Sequence, residues 1–349
     1  MRKILAVGDH FIDPDLFVDA IERATAGRHQ LTIDRAKLEW PNVPFGPVDT
    51  VNEASGTVAE AIEAIGDAEI VATQMSPLTD EVFTACPNLK LVSVSRGGPV
   101  NVDLEAATRH GVVVTFAPGR NATGAAEFAI GLILDAMRRI TVADAELKSG
   151  TWRGDYYAYD NAGIEVDGTT IGLVGYGAIG KIVAGVLRAF GAHVLAYDPY
   201  TDAEKLAADG VEAVAALDDL LRRSFVVSIH ARLTDETHHL LNRDNLSLLP
   251  SGAILINMAR GGLLDYSPLP DMLRSGQLGA VALDVYDEEP PGPSWPLFDA
   301  PNVITTPHLA GATRQTAHRA ADIVAGEIAA YLDGERPRFV ANPAVYDRQ

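Results

Sequence analysis

The chain has 349 residues, 47% of them hydrophobic and 21% charged, which is a soluble globular balance in a length suited to two domains rather than one core. Its formal net charge of −19 repels nucleic-acid phosphates and anionic membrane surfaces, and no run of Lys and Arg overrides it, so no nucleic acid and no membrane are expected as partners. The single cysteine, Cys86, followed by Pro87, leaves no intrachain disulfide and no cysteine-based metal site, and no metal is expected.

In the first third, KILAVG, AEIVAT, KLVSVS and VVVTF read as strands. TVAEAIEAIGDA has helical spacing, and WPNVPFGP and VNEASG read as loops. Strands alternating with helices imply βαβ units and a parallel sheet. The N-terminus, MRKILAVGDH, holds only a short apolar run that reads as a strand and not as a secretion signal. No segment offers the roughly eighteen uninterrupted apolar residues of a membrane span, so the expected location is the cytoplasm.

From about residue 118, APGRNATGAAEFAIGLILDAMRRITVADAELKSG reads as one long helix. Its wide apolar face, with Phe128, Ile130, Leu132, Ile133, Leu134 and Met137, suits burial between two bodies. TWRGDYYAYDNAGIEVDG then reads as an aromatic-rich loop. Tyr156, Tyr157 and Tyr159 would pack a subunit interface or cover a substrate pocket, the interface being the preferred reading. A second alternating set follows, with TTIGLVGYG, AHVLAYD, FVVSIHA, GAILINMA, AVALDVY and NVITTP as strands and GKIVAGVLRAF, LDDLLRR, RDNLSLL and PLPDMLRSG as helices. A last helix, RQTAHRAADIVAGEIAAYLDG, stops at Gly334. EEPPGPSWP reads as a short shaped loop.

GLVGYGAIGK carries Gly175, Gly177 and Gly180 as GxGxxG. The pattern alone is weak, but a strand precedes it, an amphipathic helix follows, and the next strand ends in Asp198, eighteen residues after Gly180 (198 − 180). That context is what a dinucleotide needs: a tight turn at Gly175, close approach of the pyrophosphate at Gly177, and helix packed on strand at Gly180. The helix N-terminus supplies amides and a positive dipole for the phosphates. Asp198 would accept from the adenosine ribose hydroxyls and repel a 2′-phosphate, which favours NAD over NADP. The string also fits GxxxxGK, but Ile182 stands where a P-loop needs Ser or Thr. Farther on, TTPHLAG sets His308 between Pro307 and Leu309 after an apolar run. A structural histidine, a metal ligand and a catalytic acid-base are the three readings, and the last needs an orienting carboxylate.

From about residue 90 to 330 the sequence resembles the D-isomer-specific 2-hydroxyacid dehydrogenases. AEFAIGLIL resembles the long hinge helix, GLVGYGAIGK the dinucleotide turn, INMARGGLLD the segment with the catalytic Arg, ALDVYDEEP that with the catalytic Glu, and TTPHLAG that with the catalytic His. The resemblance implies Arg260 as anchor for carboxylate and carbonyl, His308 as acid-base and Glu289 as its partner. The spacing to Pro290 selects Glu289 over Glu288. It implies NAD contacts at Ala178, Ile179, His230, Met258, Ala259, Asp284 and Gly311 as well as the glycine turn, with Asp284 at the nicotinamide carboxamide. SRGGPVNVD resembles the loop whose amides, here Gly97 and Gly98, bind the substrate carboxylate.

The expected fold is α/β, with two doubly wound parallel-sheet domains and a cleft between them that closes about a hinge. One is a Rossmann NAD domain over 116–315, the other a discontinuous flavodoxin-like substrate domain over 1–115 and 316–349. The expected activity is NAD(H)-dependent exchange of a small anionic 2-keto acid and its D-2-hydroxy acid in a homodimer. Two alternatives stand beside it: D-3-phosphoglycerate dehydrogenase, and a non-enzymatic NAD(H)-sensing module of the corepressor type. Two departures bear on these. The family usually has Pro two residues after the histidine of its HxP motif, whereas HAR gives Arg232, which could permit some NADP use. The loop TQMSPLT lacks the basic residues that phosphoglycerate dehydrogenases carry there.

Overall fold

Strand pairing in the computed structural model, which describes residues 2–348, builds two sheets that are parallel throughout. The first comprises β1 (Arg2–Gly8), β2 (Leu31–Lys37), β3 (Ile70–Thr73), β4 (Leu91–Val94) and β5 (Val113–Thr115), in the order β2-β1-β3-β4-β5. The second comprises β6 (Thr170–Val174), β7 (His193–Tyr197), β8 (Glu212–Ala213), β9 (Val226–Ile229), β10 (Ala253–Asn257), β11 (Leu278–Leu283) and β12 (Val303–Thr305), in the order β12-β11-β10-β9-β6-β7-β8. The inner strands β3, β4, β9 and β10 are buried along their whole length. They therefore read in the sequence as unbroken apolar runs, as strands covered by helices on both faces do. The edge strands β2, LTIDRAK, and β8 escape that signal because one is half exposed and charged and the other is two residues long.

Two compact units result, Met1–Asn121 with Ala312–Gln349, and Ala122–Gly311. The boundaries 121/122 and 311/312 differ from 115/116 and 315/316 because the segment after β5 stays tied to the first unit. Phe116 N–H donates to Phe339 O at 3.1 Å and Ala117 N–H to Arg96 O at 2.7 Å. In the first unit the helices Pro14–Thr25 and Arg314–Leu332 lie together on one face of the sheet around Ile4, Phe17 and Ile328, and Val71, Phe83 and Val92 anchor the core on the other face. The chain's last segment also seals the outer edge of β5. Asn342 Oδ1 accepts from Val114 N–H at 2.9 Å, Ala341 N–H donates to Val114 O at 2.8 Å, and Val340 bridges Thr115.

The single long helix expected from residue 118 is two helices, Ala122–Arg138 and Ile140–Lys148. Arg139 breaks it by adopting left-handed backbone, φ 55°, and Asp135 holds the break by accepting from Thr141 N–H at 2.7 Å and from the Thr141 hydroxyl. Nothing in the apolar spacing marks that turn, since a non-glycine residue with positive φ has no sequence signature. Within the second unit the first helix packs on β10, β11 and the helix Ala178–Ala189, with Leu132, Ile133 and Met137 buried and Phe128, Ile130 and Leu134 half-buried. No helix among the described residues is long and apolar enough to cross a membrane. Ile133 is fully enclosed, so Ile133→Ala should lower the stability of the second unit by about 2–5 kcal/mol in chemical denaturation; a loss below about 1 kcal/mol would contradict this packing.

Candidate active site

The glycine turn leaves β6 at the point where the order of the second sheet reverses, between β6 and β9, the place in such sheets where ligands bind at the carboxyl ends of strands. Gly175 has φ 100°, and a Cβ there would lie 2.7 Å from Ala231 N, so only glycine makes this turn against the strand beside it. A Cβ on Gly180 would lie 2.6 Å from Gly175 O, which sets the helix tight against the turn, whereas a Cβ on Gly177 would meet nothing within 4 Å. The helix Ala178–Ala189 starts directly on Gly177, so the amides of Ala178 and Ile179 belong to its first turn, which has no partner within the helix. Open space over a glycine and free amides at a helix start fit a pyrophosphate. Asp198 follows β7, its Oδ2 accepting from Tyr176 N–H at 2.7 Å and its Oδ1 from Tyr200 N–H at 2.8 Å, which locks the carboxylate beside the turn. His230 follows β9. Its Nε2 meets Ser228 Oγ at 2.9 Å, its Nδ1 is buried without a partner, and burial pushes the ring down to about 4, so it is neutral. Met258 and Ala259 follow β10, and Gly311 closes the unit.

The same end of the sheet carries the three expected catalytic side chains. Arg260 comes after Met258 and Ala259 at the exit of β10, directly before the short 3-10 turn Gly261–Leu263, and is exposed. Its backbone is fixed by Asn257, fully buried at the end of β10, whose Nδ2 donates to Arg260 O at 3.0 Å and to Tyr266 Oη at 3.1 Å while its Oδ1 accepts from Ala259 N–H at 3.1 Å. Tyr266 Oη donates in turn to Val285 O at 2.8 Å. Gly261 presses on the next loop so closely that a Cβ would lie 1.8 Å from Tyr286 O. Arg260 Nη1 donates to Ala259 O at 2.6 Å, and the guanidinium has no carboxylate partner among the described residues.

Glu289 lies in the loop after β11 and His308 in the loop after β12, and the structure brings them together, His308 Nδ1 to Glu289 Oε2 at 2.8 Å. The other carboxylate oxygen, Oε1, accepts from Tyr286 N–H at 3.1 Å. Burial pushes the Glu289 carboxyl up, but the His308 hydrogen bond and charge, the Tyr286 amide and the charge of Arg260 outweigh it and hold the group below the usual carboxylate range. Glu288, its neighbour, is exposed, and the bond to His308 is made by Glu289. His308 has φ 54°, and its Nε2 has no partner among the described residues. Asp284, expected at the nicotinamide carboxamide, is fully buried under the His308 loop. It accepts from Thr306 Oγ1 at 2.6 Å, Leu309 N–H at 2.8 Å and Ala310 N–H at 2.8 Å. Gly97 and Gly98 lie in the first unit, beyond β4, where a Cβ on either would meet nothing within 4 Å.

A family model described as D-isomer specific 2-hydroxyacid dehydrogenase, NAD binding domain, matches residues 130–310. The chain belongs to the D-isomer specific 2-hydroxyacid dehydrogenase family. Within that family it is 37% identical over 297 residues to a D-3-phosphoglycerate dehydrogenase of Methanocaldococcus jannaschii, covering 84% of this chain and 56% of the other. It is 40% identical over 267 residues to a glyoxylate reductase of Thermofilum pendens, covering 76% of this chain and 78% of that one. The chain thus spans about half the length of the phosphoglycerate dehydrogenases it matches. Among solved structures it resembles D-lactate dehydrogenase from Escherichia coli, at 25% identity with a TM-score of 0.74, over 97% of this chain and 99% of that one.

Sequence reasoning about this family member missed the supports behind the three side chains. Asn257 was visible only as one polar residue closing the run AILIN, and the tight fit of Gly261 only as the second letter of RGG. Because the folded-state titration of Glu289 lies below its ordinary value of about 4.3, the folded protein binds fewer protons than the unfolded chain in that range. The stability this gives is complete above the unfolded value and is lost as pH falls through the lowered one. From about pH 5 to pH 3, wild-type stability should therefore fall more steeply than that of Glu289→Gln in denaturant titrations at fixed salt; equal slopes would contradict the pairing.

Proposed function

We propose that this protein interconverts a 2-keto acid and its D-2-hydroxy acid with NAD(H). The observation that carries the reading is His308 Nδ1 held on Glu289 at 2.8 Å, with Nε2 left for a substrate, at the same sheet end as an Arg260 guanidinium that no carboxylate neutralises. In reduction, His308 as imidazolium gives its Nε2 proton to the carbonyl oxygen, and in oxidation the neutral ring takes that proton back. Glu289 fixes the tautomer and orientation of the ring by accepting from Nδ1–H. Arg260 forks onto the substrate carboxylate and carbonyl oxygen, orienting the acid and stabilising negative charge as it grows on that oxygen. The nicotinamide, when bound, supplies or accepts the hydride. Gly175, Gly177, Gly180 and the amides of Ala178 and Ile179 would hold its pyrophosphate, and Asp198 its ribose.

The carboxylate of Asp198 favours NAD, and NADP is the second choice, supported by Arg232, exposed after β9 with no carboxylate partner among the described residues. Identity to phosphoglycerate dehydrogenases supports that substrate as the second reading, but the segment 73–79 offers no basic side chain for a phosphate. We also propose a homodimer. Trp152, Tyr157 and Tyr159 are 82%, 97% and 95% exposed, whereas Tyr156 of the same loop is half-buried and donates to Glu146 Oε2 at 2.6 Å, and aromatic side chains left so open suit cover by a second copy of the chain. Sedimentation should show a dimer for the wild type and a monomer for Tyr157→Glu with Tyr159→Glu; a wild-type monomer would remove the dimer.

With purified protein and a panel of 2-keto acids, His308→Ala should lower kcat by about 10²–10⁴-fold and leave NADH affinity within about threefold. Arg260→Ala should lower kcat/KM by a similar factor. Unchanged turnover in either variant would overturn the assigned role.

A further inference from the structure

The Pro-rich segment EEPPGPSWP, 288–296, carries Glu289 near one end and Trp295 near the other. Between them Pro290, Pro291 and Pro293 fix the backbone φ, and Pro296 follows the ring. Trp295 N–H donates to Gly292 O at 3.0 Å and Phe298 N–H to Trp295 O at 3.0 Å, so a tight turn lies on either side of the residue. The indole is half-buried against the core of the second unit. Its centroid lies 5.8 Å from that of Tyr266, 5.3 Å from that of Tyr286 and 5.3 Å from that of Phe298, the last two edge-on at 80° and 76°.

Tyr266 and Tyr286 are the phenols behind the candidate site. Tyr266 Oη accepts from Asn257 Nδ2 at 3.1 Å and donates to Val285 O at 2.8 Å, and Tyr286 Oη donates to Thr306 O at 2.8 Å. Asn257 ends β10, Val285 follows β11 and Thr306 follows β12. The two hydroxyls therefore touch the exits of all three strands that carry Arg260, Glu289 and His308. Burial pushes both phenols up, Tyr286 to about 12, so each keeps its O–H at neutral pH.

What Trp295 supplies to these phenols is shape. A tyrosine ring that turns about its side-chain bonds takes its hydroxyl off the carbonyl it serves. Trp295 stands against both rings, and neither can swing toward it without displacing an indole that its own turns and prolines hold. Anchoring the loop is a separate task, carried by Leu297, which is enclosed in the same core. Trp295 is thus the one contact shared by the support of Arg260, through Tyr266 and Asn257, and the support of Glu289, through Tyr286.

We propose that Trp295 is a positioning residue that wedges Tyr266 and Tyr286 and so keeps Arg260 in register with the Glu289–His308 pair. As a role in the reaction it rests on the dehydrogenase reading above; as a role in geometry it does not.

Reduction of the 2-keto acid panel with NADH is measured for the wild type, Trp295→Ala, Trp295→Phe and Leu206→Ala, at a temperature where all are folded. Leu206 is enclosed in the core of the second unit on the helix Ala203–Ala208 and serves as the control for lost packing. Trp295→Ala should lower kcat/KM about 10–100-fold, as a small misplacement of reacting groups does. Trp295→Phe, which returns a ring to the same place, should stay within about fivefold of the wild type, and Leu206→Ala within about threefold. The Glu289 carboxyl is followed by 13C NMR, its signal assigned with Glu289→Gln. Burial pushes that carboxyl up, and the His308 bond and the Tyr286 amide hold it down. Loosening those partners in Trp295→Ala should raise its titration by at least about half a pH unit, and Trp295→Phe and Leu206→Ala should leave it in place. Turnover by Trp295→Ala within threefold of the wild type, a Glu289 signal that does not move, or an equal loss in Leu206→Ala overturns the proposal. If Trp295→Ala does not fold, Trp295→Leu takes its place with the same expected changes. If the wild type reduces no acid, the dehydrogenase reading fails instead and the Glu289 titration decides alone. A rise in Trp295→Ala that Trp295→Phe reverses upholds the positioning role, and no rise overturns it.

Discussion

A buried carboxylate on three donors is the constraint on which the candidate site depends. Asp284 is enclosed at the end of β11 and spends its oxygens on Thr306 Oγ1 and on the amides of Leu309 and Ala310. A carboxyl group far from water is tolerated only when its oxygens are met by donors, and here one short loop meets them. That grip holds the residue between those donors, His308, at φ 54°, a backbone setting a histidine does not choose by itself. The ring then meets Glu289, which is itself fixed by the Tyr286 amide. Tyr286 Oη returns to Thr306 O at 2.8 Å, closing the circuit through the same two loops. Geometry at the imidazole is thus set by backbone contacts two removes away.

The second unit repeats this economy at Arg260. The guanidinium is exposed, but the backbone beneath it is pinned by Asn257 and Tyr266 on one side and by the close approach of Gly261 to Tyr286 on the other. Arg260, Glu289 and His308 sit on three successive strand exits, of β10, β11 and β12, so parallel pairing alone puts them side by side.

Much of this was legible in the sequence. The inner strands announced themselves as apolar runs, and the glycine turn, the next strand and Asp198 stood in the order a dinucleotide turn requires. The resemblance of ALDVYDEEP to the family segment with the catalytic Glu, with Pro290 choosing Glu289 over Glu288, pointed to the acid that stands against His308. What stayed hidden has physical reasons. The strand LTIDRAK is half exposed at a sheet edge and carries charges where an inner strand carries none. The break at Arg139 depends on Asp135 capturing Thr141, a contact made only after the chain has turned. The double duty of Asn257, and the three donors on Asp284, are tertiary facts about strand exits and leave no mark on periodicity.

The sealed edge of β5 has a consequence for how the chain is made. Val114 and Thr115 are paired by residues 340–342, and the helix Arg314–Leu332 covers one face of the same sheet, yet the whole of the second unit lies between them in sequence. On a ribosome the early strands therefore emerge with an open edge and an uncovered apolar face, and keep both until the segment after Gly311 has been released. The second unit, continuous in sequence, can finish first. Throughout that interval the nascent first unit is the part of the molecule exposed to wrong pairing, and holding it falls to whatever receives the growing chain.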